Sequence, residues 1–449
     1  MHAPDTKPKM RPFVSQTERF ASGAESPRDY LEACLATVDT WEPKVGAFVA
    51  TSFQAARAAA DRSAERWKKG APLSAIDGMA IGVKDIIDVA DMPTEMGSPL
   101  FAGWQPGKDA ACVWALRQAG AVILGKTVTT EFAASEPRGT RNPWNVAHTP
   151  GGSSSGSAAG VACGMFSAGL GTQVIGSTIR PASFCGTFGF KPTVGALNRQ
   201  GCHDYQSQSA TGILAATLDD TWQVTYEIAS RVGGDAGNAG LTGPGKAPAP
   251  VKPRRIAFVE TSGWNTTTDG AKACMQDSLQ KLAAAGIEIR TRHDDDTVAA
   301  LETELEEATA LSHRVNTWET RWFLDGCAGR DASKLSKAMQ DRHAQGQRMT
   351  IAQYCAALKE RARIRALYAE LWRTCDICLT LSAHGGAPAG LNATGNPEYA
   401  VPSSLLGVPA LSLPLFMIDG MPLGLQVIGF ADKDAAAFAH SAWLASHLG

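Results

Sequence analysis

The sequence predicts an α/β fold. Short apolar runs of strand length alternate along the chain with longer amphipathic helical stretches, and one glycine-rich segment interrupts them near the middle. Apolar residues make up 44% of the 449 and charged residues 19%, the balance of a globular chain rather than a disordered one. Lysine and arginine number 42 against 44 acidic residues, a net charge of −2. Such a balance excludes the basic stripe of a nucleic-acid binder and the polybasic face of a membrane-surface protein.

The elements follow in order. Residues 1–25 are expected to be a tail and lead-in: residues 1–12 carry Lys and Pro with no apolar run behind them, so no secretory leader is evident and a cytoplasmic location is expected. Pro27 to Lys69 has a helical pattern opened by Ser26-Pro27, an N-cap followed by proline at the first helical position, and 52–69 is rich in Ala and charge. Met79 to Val83 is a buried strand ending at Lys84-Asp85; Asp109 to Ala119 is a helix and Ala121 to Leu124 a strand. Arg255 to Val259 and Glu288 to Arg290 are strands on either side of the helix Asp269 to Ala285. Residues 298–373 form a charged helical layer or cap, broken around Gly326 to Ala332. Strands at 376–382, 410–414 and 423–429 return to the sheet, within a C-terminal part spanning 376–430. Gly233 to Pro253, rich in Gly, Ala and Pro, is a loop or a boundary. The stretch from about Gly156 to Gly176 is weakly polar but too poor in large apolar residues to span a membrane.

Two motif matches fail on context. Gly120 to Thr127 fits GxxxxGK[ST], yet its four inner residues are Ala-Val-Ile-Leu, a strand rather than a phosphate-wrapping loop. Gly152-Ser-Ser154-Ser-Gly156 fits GxSxG, but a polar turn precedes it where a nucleophile elbow needs an apolar strand. Ten cysteines are scattered through the chain, which reads as reduced, buried thiols; Cys375 and Cys378 form a CxxC with no second pair nearby to complete a metal site.

The glycine-rich segment carries more. Between 151 and 195 there are 11 glycines in 45 residues. Residues 156–164 suit a tightly buried helix whose small side chains admit close neighbours, with Ser153 at its entrance. Gly176-Ser177 lies in a tight turn whose successive N–H groups suit an oxyanion hole. Lys84, at the end of a buried strand, would lose proton affinity if held inside without a carboxylate partner, and a neutral lysine is a competent general base. The adjacent Asp85 points to the opposite strand face.

Taken together, GMAIGVKDIIDV (78–89), Asp109-Ala110, LRQAGAVILGKT (116–127), RNPW (141–144), TPGGSSSGSAAGVACG (149–164), the run from Gly171 to Thr193, and LGVPALSLPL and MPLGLQVIG near the C-terminus resemble the amidase signature hydrolases. The resemblance spans the core at 78–200 and most of the chain, with 217–380 the most divergent part. It implies one α/β/α domain over 26–449, a large mixed twisted sheet covered by helices on both faces, and a Ser–cis-Ser–Lys triad of Ser177, Ser153 and Lys84. It also implies an oxyanion hole from the backbone of Val174, Ile175, Gly176 and Ser177, a cis peptide at Gly152–Ser153, and no cofactor or metal. Here Gln173-Val174-Ile175-Gly176-Ser177 replaces the usual Asp-Thr-Gly-Gly-Ser, and Arg180 stands at +3 from the serine instead of +2. Ile175, in place of a glycine, is expected to resist the positive φ that the turn would need.

The same resemblance places Glu131, Phe132 and Ala134 in the acyl pocket; Ser154 is expected to join them, and the loop Gln200 to Thr211, with Tyr205 and Gln208, is expected to close over the site. With no basic cluster evident, the expected substrate is a neutral, fairly apolar small molecule: an aryl amide, a carbamate (urethane) or an ester, acted on by a monomer or homodimer without nucleic acid or membrane. The alternatives are a glutaminase-type subunit supplying ammonia to a tRNA-dependent amidotransferase partner, and a catalytically impaired family member.

Overall fold

The computed structural model describes residues 7–134 and 136–449. Eleven strands among them form one sheet: β1 (Phe48–Thr51), β2 (Ala80–Lys84), β3 (Val122–Thr127), β4 (Ala168–Gln173), β5 (Phe188–Lys191), β6 (Ala210–Ala215), β7 (Arg255–Phe258), β8 (Glu288–Arg290), β9 (Ile377–Leu381), β10 (Ala410–Ile418) and β11 (Met421–Ile428). Their order is β1-β3-β2-β4-β6-β5-β10-β11-β9-β7-β8. Pairing is parallel at β2/β3, β2/β4, β7/β8 and β7/β9 and antiparallel elsewhere, so the sheet is mixed, with helices on both faces as expected.

The central strands are buried along their whole length, which is why they read as continuous apolar or small-residue runs and not as alternating ones. The P-loop look-alike is indeed strand β3, and its Lys126 pairs with Asp85 at 2.9 Å. The run read as helical from Pro27 to Lys69 is two helices, Pro27–Val45 and Phe53–Lys68, separated by the edge strand β1. Gly46, at φ 63°, closes the first helix in the left-handed conformation that glycine adopts without a Cβ penalty. Ser26 and Asp29 form a reciprocal capping box at its start.

The expected N-terminal tail is packed from Phe13 onward. Phe13 is fully buried, and the N–H groups of Phe13 and Val14 donate to the Asp220 carboxylate at 3.1 and 2.8 Å. Residues 1–6, part of that expectation, lie outside the described residues. The helical layer comprises Asp296–Leu305, Ala308–Asp331, Lys337–Arg348 and Ile351–Leu371. Its break falls at Ala332–Ser336, later than expected, because the glycines at 326 and 329 are carried inside the long helix. The Gly233–Pro253 loop is tied back onto the body, with Leu241 N–H donating to Ala196 and Val251 N–H to Ala439. Among the described residues no helix is long and apolar enough to cross a membrane.

The helix Ser155–Cys163 is buried at all nine positions. A Cβ on Gly156 would lie 2.2 Å from the Ala47 carbonyl oxygen and 2.4 Å from the Val128 nitrogen, so only glycine lets this helix press against the backbone beside β3. That contact fixes the entrance of the helix, and with it Ser153.

Candidate active site

Lys84 ends β2 and is fully buried. Its Nζ lies 2.8 Å from Ser153 Oγ, 2.8 Å from Thr172 Oγ1 and 3.4 Å from the Thr172 carbonyl oxygen on β4. All of these partners are neutral. Burial therefore pulls the ammonium down to about 7, against a smaller opposing pull from Asp204. Asp85 does not quench the amine, because it faces the other side of the strand and pairs with Lys126.

Ser153 follows a cis Gly152–Ser153 peptide, as expected. The carbonyl of Gly152 accepts from Arg180 Nη2 at 2.6 Å, and the same nitrogen donates to Thr394 Oγ1 at 2.9 Å while Nη1 donates to the Gly395 carbonyl at 2.9 Å. Arg180 thus clamps the serine loop to the 394–395 segment. With only neutral acceptors around it, burial lowers this guanidinium to about 10.

Ser177 sits 8% exposed at the floor of a cleft of about 230 Å³. Among the described residues the N–H groups of Val174, Ile175, Gly176 and Ser177 donate to no protein acceptor, so a row of donors is open to an anion. Gln173 holds the turn: its Oε1 accepts from the N–H groups of Thr178 and Ile179 at 2.9 Å each, and its Nε2 donates to Ser404 Oγ at 3.0 Å. Ser404 in turn donates to the Ile175 carbonyl at 2.8 Å. The glutamine that replaces the usual aspartate is thereby a brace for the turn. Ile175 is not among the described non-glycine residues with positive φ, so this turn asks nothing of it that only glycine could give. The expected backbone conflict is absent.

Of the expected pocket residues, Phe132 and Ala134 line the cleft. Phe132 and its neighbour Ala133 take φ of 49° and 57°, strained values for non-glycine residues and held in part by the Phe132 N–H to the Met96 carbonyl at 2.8 Å. Tyr205, 62% exposed, lines an adjoining cavity of about 300 Å³ that shares Phe132, Ala134, Gln206 and Arg342 with the first. The other three stand outside the lining. Glu131 is buried and accepts from Ser98 Oγ and the Ser336 N–H, both at 3.2 Å, pinning the break in the helical layer. Ser154 Oγ is occupied with the Thr172 backbone at 3.3 Å. Gln208 lies behind the turn, its Nε2 donating to Ser312 Oγ at 3.3 Å.

The sequence did not single out Gln206, His313, Asn316, Arg342 or Thr394, which also line the cleft. Both side-chain atoms of Asn316 are buried without a partner, and Arg342 makes no ion pair or hydrogen bond among the described residues. Desolvation lowers the pKa of Arg342, and burial together with the Arg342 charge lowers that of His313.

The site thus combines a buried lysine bonded to one serine with a second serine in a turn of free N–H groups, whose own carbonyl accepts from the Ser154 N–H at 3.3 Å. The family model "Amidase" matches residues 29–437, and the chain belongs to that family. It is 32% identical over 447 residues to a glutamyl-tRNA(Gln) amidotransferase subunit from Chloroflexus aggregans, covering 91% of each chain. A solved amidase structure superposes with a TM-score of 0.84 at 26% identity over 98% of this chain and 100% of that one. A bacterial aryl acylamidase shares the fold with a TM-score of 0.85 at 19% identity, covering 98% of this chain and 96% of its own.

Proposed function

We propose that the chain hydrolyses a linear amide C–N bond through an acyl-enzyme on Ser177. Neutral Lys84 takes the proton of Ser153 Oγ, which takes that of Ser177 Oγ as it attacks the carbonyl carbon. The N–H groups of residues 174–177 hold the developing oxyanion. The proton returns through Ser153 to the leaving nitrogen, and water then releases the acid by the reverse relay. The observation that carries this reading is the 2.8 Å contact between the Lys84 amine and Ser153 in a site without a carboxylate partner. Carbamates and esters present the same carbonyl to the same groups.

The lining of the cleft supports a different substrate from the neutral one expected. A neutral, apolar acyl group would leave the Asn316 amide and the Arg342 guanidinium without partners. A substrate bearing a carboxylate, or a strong neutral acceptor, would satisfy both while its apolar part rests on Phe132 and Phe323, whose rings lie edge to face at 5.0 Å. The experiment compares release of 4-nitroaniline from its butyryl and glutaryl anilides by the purified chain, beside Ser177→Ala. Glutaryl preference that disappears in Arg342→Gln supports the reading; equal rates on both would refute the anionic substrate.

A second reading is supported by the amidotransferase subunits among the relatives. As a subunit of that kind, the chain would deamidate glutamine, whose α-carboxylate suits Arg342, and would depend on a partner protein. Glutamine turnover that appears only with added partner, with anilides inert, distinguishes it.

A further inference from the structure

A cavity of about 470 Å³ lies outside the site described above. Ala410 pairs with both Lys191 and Ile428, so the end of β5, the start of β10 and the end of β11 meet at one end of the sheet's central strands. The chain just beyond them, at 193–194, 406–408 and 430–433, forms part of the cavity wall, and Asn238, the C-terminal part of Ile351–Leu371 and Trp372 form the rest. Because β5 runs in the same direction as β4, this is the same end of the strands that carries Gln173 and the turn bearing Ser177.

The wall combines aromatic rings with an unmet charge. Phe430 lies 5.1 Å from Tyr368 and 5.2 Å from Trp372, centroid to centroid. Arg365 donates from Nε to the Leu405 carbonyl at 2.8 Å, while its Nη2 is buried and has no partner among the described residues. Gly407, at φ +76°, brings bare backbone against that nitrogen; a Cβ there would lie 3.0 Å from it. Asp432 is the one carboxylate among the described lining residues, and Lys433 beside it supplies a compensating charge 5.4 Å over the Trp372 ring. Burial and the neighbouring Arg361 lower the Arg365 guanidinium to about 10, which is what a cation lacking a counter-ion should show. A buried donor on a cation is costly to leave unmet, and aromatic walls select an apolar body.

We propose that this cavity is a second ligand site, for a small carboxylate with an aromatic or branched apolar body, its carboxylate on Arg365 and its body among Tyr368, Trp372 and Phe430. The occupant would adjoin the helix Val401–Leu406, whose Ser404 braces the Ile175 carbonyl. This site is independent of the amidase reading and is tested by binding rather than turnover. The probe is 1-naphthoate, titrated into the full chain and followed by tryptophan fluorescence, with 1-naphthalenemethanol as the neutral counterpart. Arg365→Gln and loss of the probe's charge should each weaken binding by roughly tenfold or more, the worth of a charge-assisted hydrogen bond, while Arg342→Gln leaves it unchanged. Hydrogen exchange on the unaltered chain supplies a readout that needs no variant to fold: 1-naphthoate should protect residues 401–408 and 430–433. Unchanged affinity in folded Arg365→Gln, or protection confined to 131–134 and 174–177, overturns the proposal.

Discussion

Lys84 Nζ lies 2.8 Å from Ser153 Oγ, and the carboxylate next to it in sequence, Asp85, is committed at 2.9 Å to Lys126 on the neighbouring strand. The strand alternation separates a buried lysine with neutral partners only from one that is paired with a carboxylate. Asp85 neutralises the structural lysine, and the catalytic candidate is left with hydroxyl and carbonyl partners only.

The first prediction concerns pH. Protonated Lys84 cannot accept from Ser153, so kcat/KM for a neutral anilide should rise with pH and level off above the amine's pKa of about 7. The sign for stability runs the same way. The folded-state pKa lies below the ordinary 10.5, so the unfolded chain binds more protons between those values and the contribution of Lys84 to stability improves as pH rises from about 7 towards 10.5. Lys84→Ala should lower kcat by roughly 10³-fold, within the range of general base catalysis, and remove the rising limb. A pH–rate profile on both proteins checks it.

Arg180 is a clamp with three neutral acceptors, and lysine can reproduce neither its fork nor its reach. Arg180→Lys should cost about 2 kcal/mol of stability, the scale of a lost hydrogen bond to a charged group, and lower kcat more than it raises KM because it loosens the Gly152 carbonyl. Urea denaturation alongside steady-state kinetics reads both.

Gly156→Ala should be destabilising by about 1–3 kcal/mol, the usual cost of overpacking. The added carbon meets backbone atoms of Ala47 and Val128 that cannot rotate away. A lowered thermal midpoint, with activity falling alongside it, is the expected result.

Arg342→Gln should raise KM for a carboxylate-bearing anilide by roughly tenfold or more while leaving that for the butyryl anilide nearly unchanged. Steady-state kinetics on the pair of substrates separates recognition of charge from a general disturbance of the cleft.

The strands that carry the lysine and its neighbours were legible because whole-length burial demands continuous apolar runs such as Ala80–Lys84 and Val122–Thr127. β4 was not, since AGLGTQ has neither β-branched residues in number nor alternation; its place is set by Gly171 packing on Ser154 and by β2 and β6 on either side. Lys84, Ser153 and Ser177 could be singled out because their local sequences, a lysine closing a buried strand and serines in glycine-rich turns, are unusual. Asn316 and Arg342 sit on polar helices where one more amide or arginine carries no signal, and only the packing of Ala308–Asp331 and Lys337–Arg348 brings them to the cleft. Glu131 shows the opposite error: adjacent in sequence to a lining residue, it turns inward to hold the Ser336 N–H.

The central claim is that Lys84, acting through Ser153, activates Ser177. Labelling by a fluorophosphonate, located by peptide mass and timed in the parent and in Lys84→Ala, tests it most directly. The account predicts one label on Ser177, none in Ser177→Ala, and labelling slowed by orders of magnitude in folded Lys84→Ala at neutral pH. Modification of a different residue, or an unslowed rate on Ser177 without Lys84, would contradict it.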